Sequence, residues 1–173
     1  KPTVVTDMAV ATAGWQAIAD VGFAHKSEED AACTHTNPNV DFAVTPFNHS
    51  GYIACGLSKL VWGNVAEGTG PRCIVSSRPP GVYVKGVLQI DYTKFANLTP
   101  PSHGLTPQGT MRHEIGHILG FRHEHPWAPA QGNCDEDKEI PERDQSYRRL
   151  TDEYPGGSWD QLSVMHYPQC GGI

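Results

Sequence analysis

The stretch His-Glu-Ile-Gly-His-Ile-Leu-Gly-Phe-Arg-His occupies residues 113–123. His113 and His117 are four residues apart, so on a helix they lie on one face, one turn apart. Gly120 can adopt the left-handed conformation and turn the chain sharply, which brings His123 back as a third ligand. Neutral imidazoles that leave one position open for water are typical of a catalytic zinc site. The segment therefore predicts one bound Zn²⁺.

Glu114 follows the first histidine and supplies the carboxylate that such a site needs. It can accept a proton from the attacking water and return it to a leaving amine. At average amino-acid frequencies, this glutamate, the three histidines and the glycine occur together at this spacing by chance on the order of once in ten million sequence positions. A helix with solvated histidines is the alternative, and this chance estimate disfavours it.

The residues around the histidines predict a helix with Thr106 as N-cap, Pro107 in its first position and Gly120 as its stop. An apolar stripe lies roughly opposite the histidine face, and it consists of Met111, Ile115, Ile118 and Leu119. We expect the stripe to pack on the core while the imidazoles face a cleft.

Upstream of this helix, the sequence predicts a first helix and several strands. The first helix runs from residue 6 to about residue 21, with Thr6 or Asp7 as N-cap and with Met8, Ala11, Trp15, Ile18 and Ala19 at helical spacing. Strands are predicted at Val40–Val44, Tyr52–Leu57, Val82–Val84 and Val87–Ile90, loops at 22–39 and 58–81, a break at Pro100–Gly104, and a short helix at Arg143–Leu150.

Length and charge exclude several classes of protein. A chain of 173 residues fits one domain. Thirteen Lys and Arg against 19 Asp and Glu give a net charge of −6, which argues against a nucleic-acid binder with a basic stripe. Apolar runs fall well short of the ~20 residues that a membrane span requires. We expect a monomer that binds neither nucleic acid nor membrane.

The cysteines indicate an oxidising compartment. Five of them fit no Cys-x-x-Cys zinc pattern, and their spread suggests disulfides; the alternative is buried free thiols in a cytosolic protein. The chain begins at Lys1 and not at Met, so we interpret it as a processed, secreted protein. Glycosylation sequons begin at Asn48 and Asn97.

A second element, Ser-Val-Met-His-Tyr, lies at residues 163–167. Together with the zinc segment it resembles the metzincin metallopeptidases, whose extended zinc motif is followed by a methionine-containing turn beneath the metal. Within that clan the match is closest to astacin-like enzymes, which share Gly-Phe-x-His-Glu, as at 120–124, and Ser-x-Met-His-Tyr. The run 112–125 is also similar to secreted bacterial and fungal peptidases with a His-Glu-Ile-Gly-His signature.

The resemblance implies a secreted zinc endopeptidase with an α+β, metzincin-type fold over residues 1–173. An N-terminal subdomain of about 1–120 would hold a twisted mixed sheet and two main helices. A loop-rich C-terminal subdomain of about 121–173 would complete the active-site cleft between the two. An extended peptide substrate is expected to pair with an edge strand near Tyr52–Leu57 or Val82–Val84.

The resemblance also assigns roles near the metal. Met165 would form the turn beneath it, and Tyr167 would be a switchable fifth ligand that donates its phenol to the oxyanion; a packed aromatic is the alternative for Tyr167. Glu124 would bond the mature N-terminus, or else be a surface carboxylate. His166 shares the pattern without a direct catalytic role.

The chain departs from the family at both ends. A strand usually precedes the first helix and a helix usually follows the methionine turn, so we expect a trimmed form or a reduced architecture. The pairing guess is Cys55 with Cys73 and Cys134 with Cys170, which leaves Cys33 unpaired, its partner expected on the absent strand.

Two other interpretations stay open. The acidic cluster of Asp135, Glu136, Asp137 and Glu139 offers oxygens that Ca²⁺ prefers, but it lacks the spacing of a known loop, and a solvated acidic loop is favoured. In place of a peptidase, the chain would be a non-catalytic zinc module that binds protein or glycan, or a zinc amidase acting on a small molecule. A pure scaffold has no need of Glu114 as a base, which argues against the first rival.

Overall fold

The computed structural model describes residues 2–34, 37–46, 54–57, 86–95, 105–119, 121, 160 and 162–165. The chain divides into two compact units: one comprises Lys1–Thr99 and Leu105–Phe121, and the other comprises Pro100–Gly104 and Arg122–Ile173. All helices and strands given below belong to the first unit. The assignment of two subdomains to one peptidase domain remains a prediction.

The described elements are three helices, one 3-10 helix and three strands. They are α1 (Pro2–Gln16), the 3-10 helix (Ser27–Ala32), β1 (Phe42–Pro46), β2 (Ala54–Leu57), β3 (Gly86–Ile90), α2 (Tyr92–Phe95) and α3 (Pro107–Ile118). None of the described helices is long and apolar enough to cross a membrane.

The strands form a mixed sheet in the order β1-β3-β2. β1 runs parallel to β3 with Val44 opposite Leu88, and β2 runs antiparallel to β3 with Gly56 opposite the same residue. Every residue of β3 is buried, as expected of a strand between two others, and the polar Gln89 donates its Nε2 hydrogen to Thr45 Oγ1 at 3.4 Å. The sheet thus presents a buried centre on which a helix can pack.

The core lies where α1 and the sheet meet α3, because α3 packs on α1, β2 and β3. Among the residues of these elements whose burial is described, the buried apolar ones are Ala11, Trp15, Ala43, Val87, Leu88, Ile90, Met111 and Ile115. Met111 and Ile115 are both 0% exposed, which confirms these two positions of the predicted apolar stripe, whereas Ile118 and Leu119 are only partly buried.

The predicted start of α1 was wrong. The helix begins at Pro2, where the fixed φ of proline suits the first helical position, so neither Thr6 nor Asp7 is an N-cap. Asp7 is instead a buried side chain within the helix, 5% exposed. The helix also ends earlier than predicted, at Gln16, and Ile18 beyond it is 76% exposed.

The other predicted elements have mixed outcomes. β1 lies two residues later than the predicted strand at 40–44. β2 occupies the last four residues of the strand predicted at 52–57, and β3 confirms the strand at 87–90 with one added residue. A 3-10 helix lies within the predicted loop 22–39, and its Glu29 carboxylate accepts hydrogen bonds from Asn37 and Asn39. The predictions for 58–81, 82–84, 100–104 and 143–150 fall outside the described residues.

Candidate metal centre

The start of α3 is fixed by its local sequence, as predicted. Thr106 is the N-cap, and its Oγ1 accepts a hydrogen bond from the backbone N–H of Gly109 at 3.0 Å. Pro107 follows in the first turn, where its missing N–H costs nothing. With the start fixed and the Met111 face buried, the rotation of the helix about its axis decides where the histidines lie.

His113 and His117 are brought together on α3. Their ring centroids are 4.8 Å apart and the rings are perpendicular to each other. Both residues are half-buried, beside the fully buried Ile115. Two imidazoles this close on adjacent turns fit the i, i+4 arrangement of a shared metal ion.

The ring of His117 is held in an orientation that suits metal binding. Its Nδ1 lies 2.9 Å from the backbone carbonyl oxygen of Phe121, so the proton belongs on Nδ1, where it is donated to that oxygen. Nε2 then carries the lone pair, and a histidine that donates its other N–H to a carbonyl is the usual form of a metal ligand. Desolvation by burial lowers the pKa of His117 from its ordinary value, which favours the neutral ring that a metal requires.

The chain leaves the helical path directly after α3. Leu119 N–H donates to the Ile115 carbonyl at 2.9 Å, and Phe121 N–H donates to the Gly116 carbonyl at 2.9 Å. The second bond spans five residues, one more than the bonds of a regular α-helix. The predicted stop of the helix, Gly120, lies outside the described residues.

Glu114 is buried beside the first histidine. Its side chain is 8% exposed, and Ile115 and Gly116, which follow it in α3, are also buried. The predicted role of Glu114 as a general base remains a prediction.

Met165 lies in a turn of the second unit and is 3% exposed. Its N–H donates to Ser163 Oγ at 3.1 Å, while Asp160 accepts hydrogen bonds from Leu162 N–H at Oδ1 and from Ser163 N–H at its carbonyl. Short polar side chains stabilise tight turns when they accept a hydrogen bond from the backbone N–H of the second residue after them. The predicted role of Met165 beneath the metal remains a prediction.

Several predicted site residues lie outside the described residues: Gly120, His123, Glu124, His166, Tyr167 and the acidic cluster 135–139. Among the residues that are described, no three His, Cys, Asp or Glu side chains are grouped so as to hold a metal ion. The donor chemistry of the two histidines that the structure does place fits zinc.

Cys33 is a free thiol in the structure, as the pairing guess requires. Its Sγ donates to the Val44 carbonyl oxygen at 3.5 Å, which attaches the end of the 3-10 helix segment to β1. The guessed pairs of the other cysteines involve side chains outside the described part of the chain.

Sequence reasoning missed the contacts that surround the two ligands. Trp15 of α1 donates its indole Nε1–H to the Arg112 carbonyl oxygen at 2.8 Å, and its ring stacks on Phe121 with centroids 5.2 Å apart and an interplanar angle of 19°. Trp15 was identified only as one apolar residue of a helix. Its partners lie 97 or more positions away, and no local pattern signals such a contact.

Comparison of the chain with protein-family models, with curated proteins and with solved structures returns no match.

Proposed function

We propose that this chain is a secreted, monomeric zinc endopeptidase of the metzincin type. The observation that carries the proposal is the arrangement of α3, in which His113 and His117 lie side by side and the buried Glu114 stands between them in sequence. The orientation of the His117 ring by the Phe121 carbonyl supports it further. In this proposal His123 supplies the third ligand.

The reaction follows from these groups. Zinc, when bound, polarises the scissile carbonyl and lowers the pKa of water. Glu114 accepts a proton as the water oxygen attacks the carbonyl carbon, and it passes that proton to the amide nitrogen as the C–N bond breaks. Tyr167 donates its phenol hydrogen to the oxyanion that develops on the carbonyl oxygen.

β2 offers a place for an extended peptide. It is an outer strand of the three that are described, and α3 packs directly on it. A peptide that pairs with β2 along its outer side would run past the helix that bears the histidines, and main-chain hydrogen bonds would fix its direction. The substrate class is therefore protein or peptide in an extended conformation.

Removal of the base tests the proposal. Glu114→Gln keeps the size of the side chain and should retain zinc, whereas its cleavage of an unfolded protein such as casein should fall by roughly 10²–10⁴-fold. Glu28→Ala, which removes an exposed carboxylate of the 3-10 helix, is the matched control and should cleave like the wild type. A chelator should abolish cleavage by the wild type and by Glu28→Ala, and added Zn²⁺ should restore cleavage by both.

The rival functions give different outcomes in the same assay. Equal cleavage by wild type and Glu114→Gln would contradict the proposal, as would no cleavage by the zinc-loaded wild type. Zinc binding without hydrolysis of casein or small amides would identify a binding module, and hydrolysis of small acyl amides alone would identify an amidase.

A further inference from the structure

Trp15 contacts two residues that flank the histidine pair in sequence, one within α3 and one just beyond its end. It is 5% exposed, so the indole is enclosed between α1 and α3. One contact is with the backbone of Arg112, the residue before His113, and the other is with the ring of Phe121, four residues after His117.

The first contact fixes the rotation of α3. A carbonyl oxygen inside a helix has two lone pairs, and the helical bond uses only one of them. The indole Nε1–H reaches the Arg112 oxygen at 2.8 Å and uses the other. Because this bond comes from a different helix, α3 cannot turn about its axis without breaking it, and the direction of His113 is thereby set.

The second contact fixes the residue that holds His117. Phe121 is bonded through its N–H to the Gly116 carbonyl and through its own carbonyl to His117 Nδ1, both at 2.9 Å. Its ring is 50% exposed and covers the buried indole at 5.2 Å. The stack therefore holds the backbone of Phe121, and with it the carbonyl, in place before any metal arrives.

We propose that Trp15 is a positioning residue for the metal centre: through Arg112 and Phe121 it pre-orients both His113 and His117. The inference rests on the proposed function, since it assumes that these histidines bind Zn²⁺. A ligand that is already in its bound orientation and tautomer loses less freedom when the metal binds. Removal of an outer partner of a metal ligand typically costs about 10–100-fold in affinity.

Two variants remove the two contacts separately. Trp15→Phe keeps an aromatic ring for Phe121 but removes the indole N–H, and Phe121→Leu removes the stack but keeps the backbone carbonyl. Tyr92→Phe is the matched control, because it removes a hydrogen bond between α1 and α2 without touching Arg112 or Phe121. All variants are made in the full chain.

Three quantities are measured for each variant: the Zn²⁺ dissociation constant by competition with a chromophoric chelator, the urea midpoint of the metal-free protein, and the tautomer of His117 from ¹⁵N chemical shifts of the metal-free protein. We expect Trp15→Phe and Phe121→Leu to weaken Zn²⁺ binding about tenfold. Phe121→Leu should also shift His117 from the Nδ1–H form toward a mixture of tautomers. Tyr92→Phe should lower the midpoint and leave both other quantities unchanged.

The inference is overturned if the two variants bind Zn²⁺ as the wild type does, or if all three variants weaken binding in proportion to their loss of stability. Should Trp15→Phe fail to fold, Phe121→Leu decides alone, since its ring is half exposed. His117→Ala separates this inference from the proposed function. Unchanged Zn²⁺ affinity in His117→Ala would contradict both, whereas lost affinity there with normal affinity in the other variants would overturn only the role of Trp15.

Discussion

Replacement of Tyr92 by Phe removes a single hydroxyl group that connects α2 to α1. Tyr92 Oη donates to Asp7 Oδ2 at 2.7 Å, and Gln108 Nε2, from the first turn of α3, donates to Asp7 Oδ1 at 2.6 Å. Asp7 is 5% exposed, so these two donors replace much of the water that its carboxylate would otherwise bind. The variant therefore leaves a buried carboxylate with one of these bonds missing.

The stability that Tyr92→Phe loses at neutral pH can be estimated from the type of hydrogen bond that it removes. A hydrogen bond to a charged group contributes about 1.5–3 kcal/mol. Tyr92 is half-buried and Gln108 still bonds Asp7 in the variant, so we expect the lower end of that range. Tyr92→Phe should reduce the free energy of unfolding by about 1.5 kcal/mol at pH 7.

The difference between the two proteins should shrink at high pH. Burial raises the pKa of Tyr92 above its ordinary value, and the hydrogen bond to Asp7 and the charge of Asp7 raise it further. Above about pH 10 the unfolded chain releases this proton while the folded protein keeps it, so the stabilisation is complete below pH 10 and is lost as the pH rises. For a group fully shielded from solvent, the difference in unfolding free energy between the two proteins would fall by about 1.4 kcal/mol for each pH unit above pH 10. Solvent screening reduces this fall, so we expect about 0.5 kcal/mol of the difference to remain at pH 11.

The difference between wild type and Tyr92→Phe is measured by urea unfolding at pH 7, 9, 10 and 11, followed by far-UV circular dichroism. The other titrating groups are the same in both proteins, so their contributions cancel in the difference. Asp7→Ala and the double variant complete a mutant cycle that isolates the coupling between the two side chains. On the Asp7→Ala background, Tyr92→Phe should have little effect at pH 7, where the hydroxyl group is neutral in both states. A difference that is absent at pH 7, or that stays constant up to pH 11, would refute the reasoning.

Three further substitutions have expected outcomes. Gly14→Ala should raise the free energy of unfolding by up to ~1 kcal/mol through helix propensity, because the three atoms nearest the new Cβ all belong to the guanidinium of Arg112, whose Cζ lies 2.7 Å away and which can shift. A loss of more than ~1 kcal/mol in urea unfolding would contradict this. Thr106→Ala should lower the free energy of unfolding by about 1 kcal/mol, because the Gly109 N–H loses its hydrogen-bond acceptor. Thr106→Ser should restore most of this loss in the same assay, and an unchanged urea midpoint in Thr106→Ala would exclude the cap. Tyr167→Phe should lower kcat far more than it raises KM in peptide hydrolysis, and a change in KM alone would rule out the oxyanion role.

The sequence was sufficient for the start and the buried face of α3, because both follow from residues of the helix itself and its N-cap. Thr106 caps it, Pro107 suits its first turn, and the buried positions of Met111 and Ile115 set the face that packs on the core. Once that face is set, the i, i+4 spacing alone brings the two histidines together.

The errors arose where distant residues decide. Asp7 is a residue type that favours the N-cap position, and it precedes a helical pattern. Its carboxylate instead accepts hydrogen bonds from residues 85 and 101 positions away, which a local pattern does not show. β1 was placed two residues early because alternation gives no register; its bounds follow from pairing with β3, in which Phe42 faces Gly86 and the Asp41 carbonyl accepts the Gly86 N–H.

The same distinction applies within the candidate site. The chemistry of the site depends on residue types at fixed spacing, so the zinc and base hypothesis was accessible from residues 113–123 alone. In the role proposed for Trp15, the precision of the site depends on this residue of α1, which donates to the Arg112 carbonyl oxygen and stacks on Phe121. If the histidines bind Zn²⁺ as proposed, a chain that kept the motif but changed α1 would keep its ligands and bind the metal more weakly, because the contacts that orient them come from outside the motif.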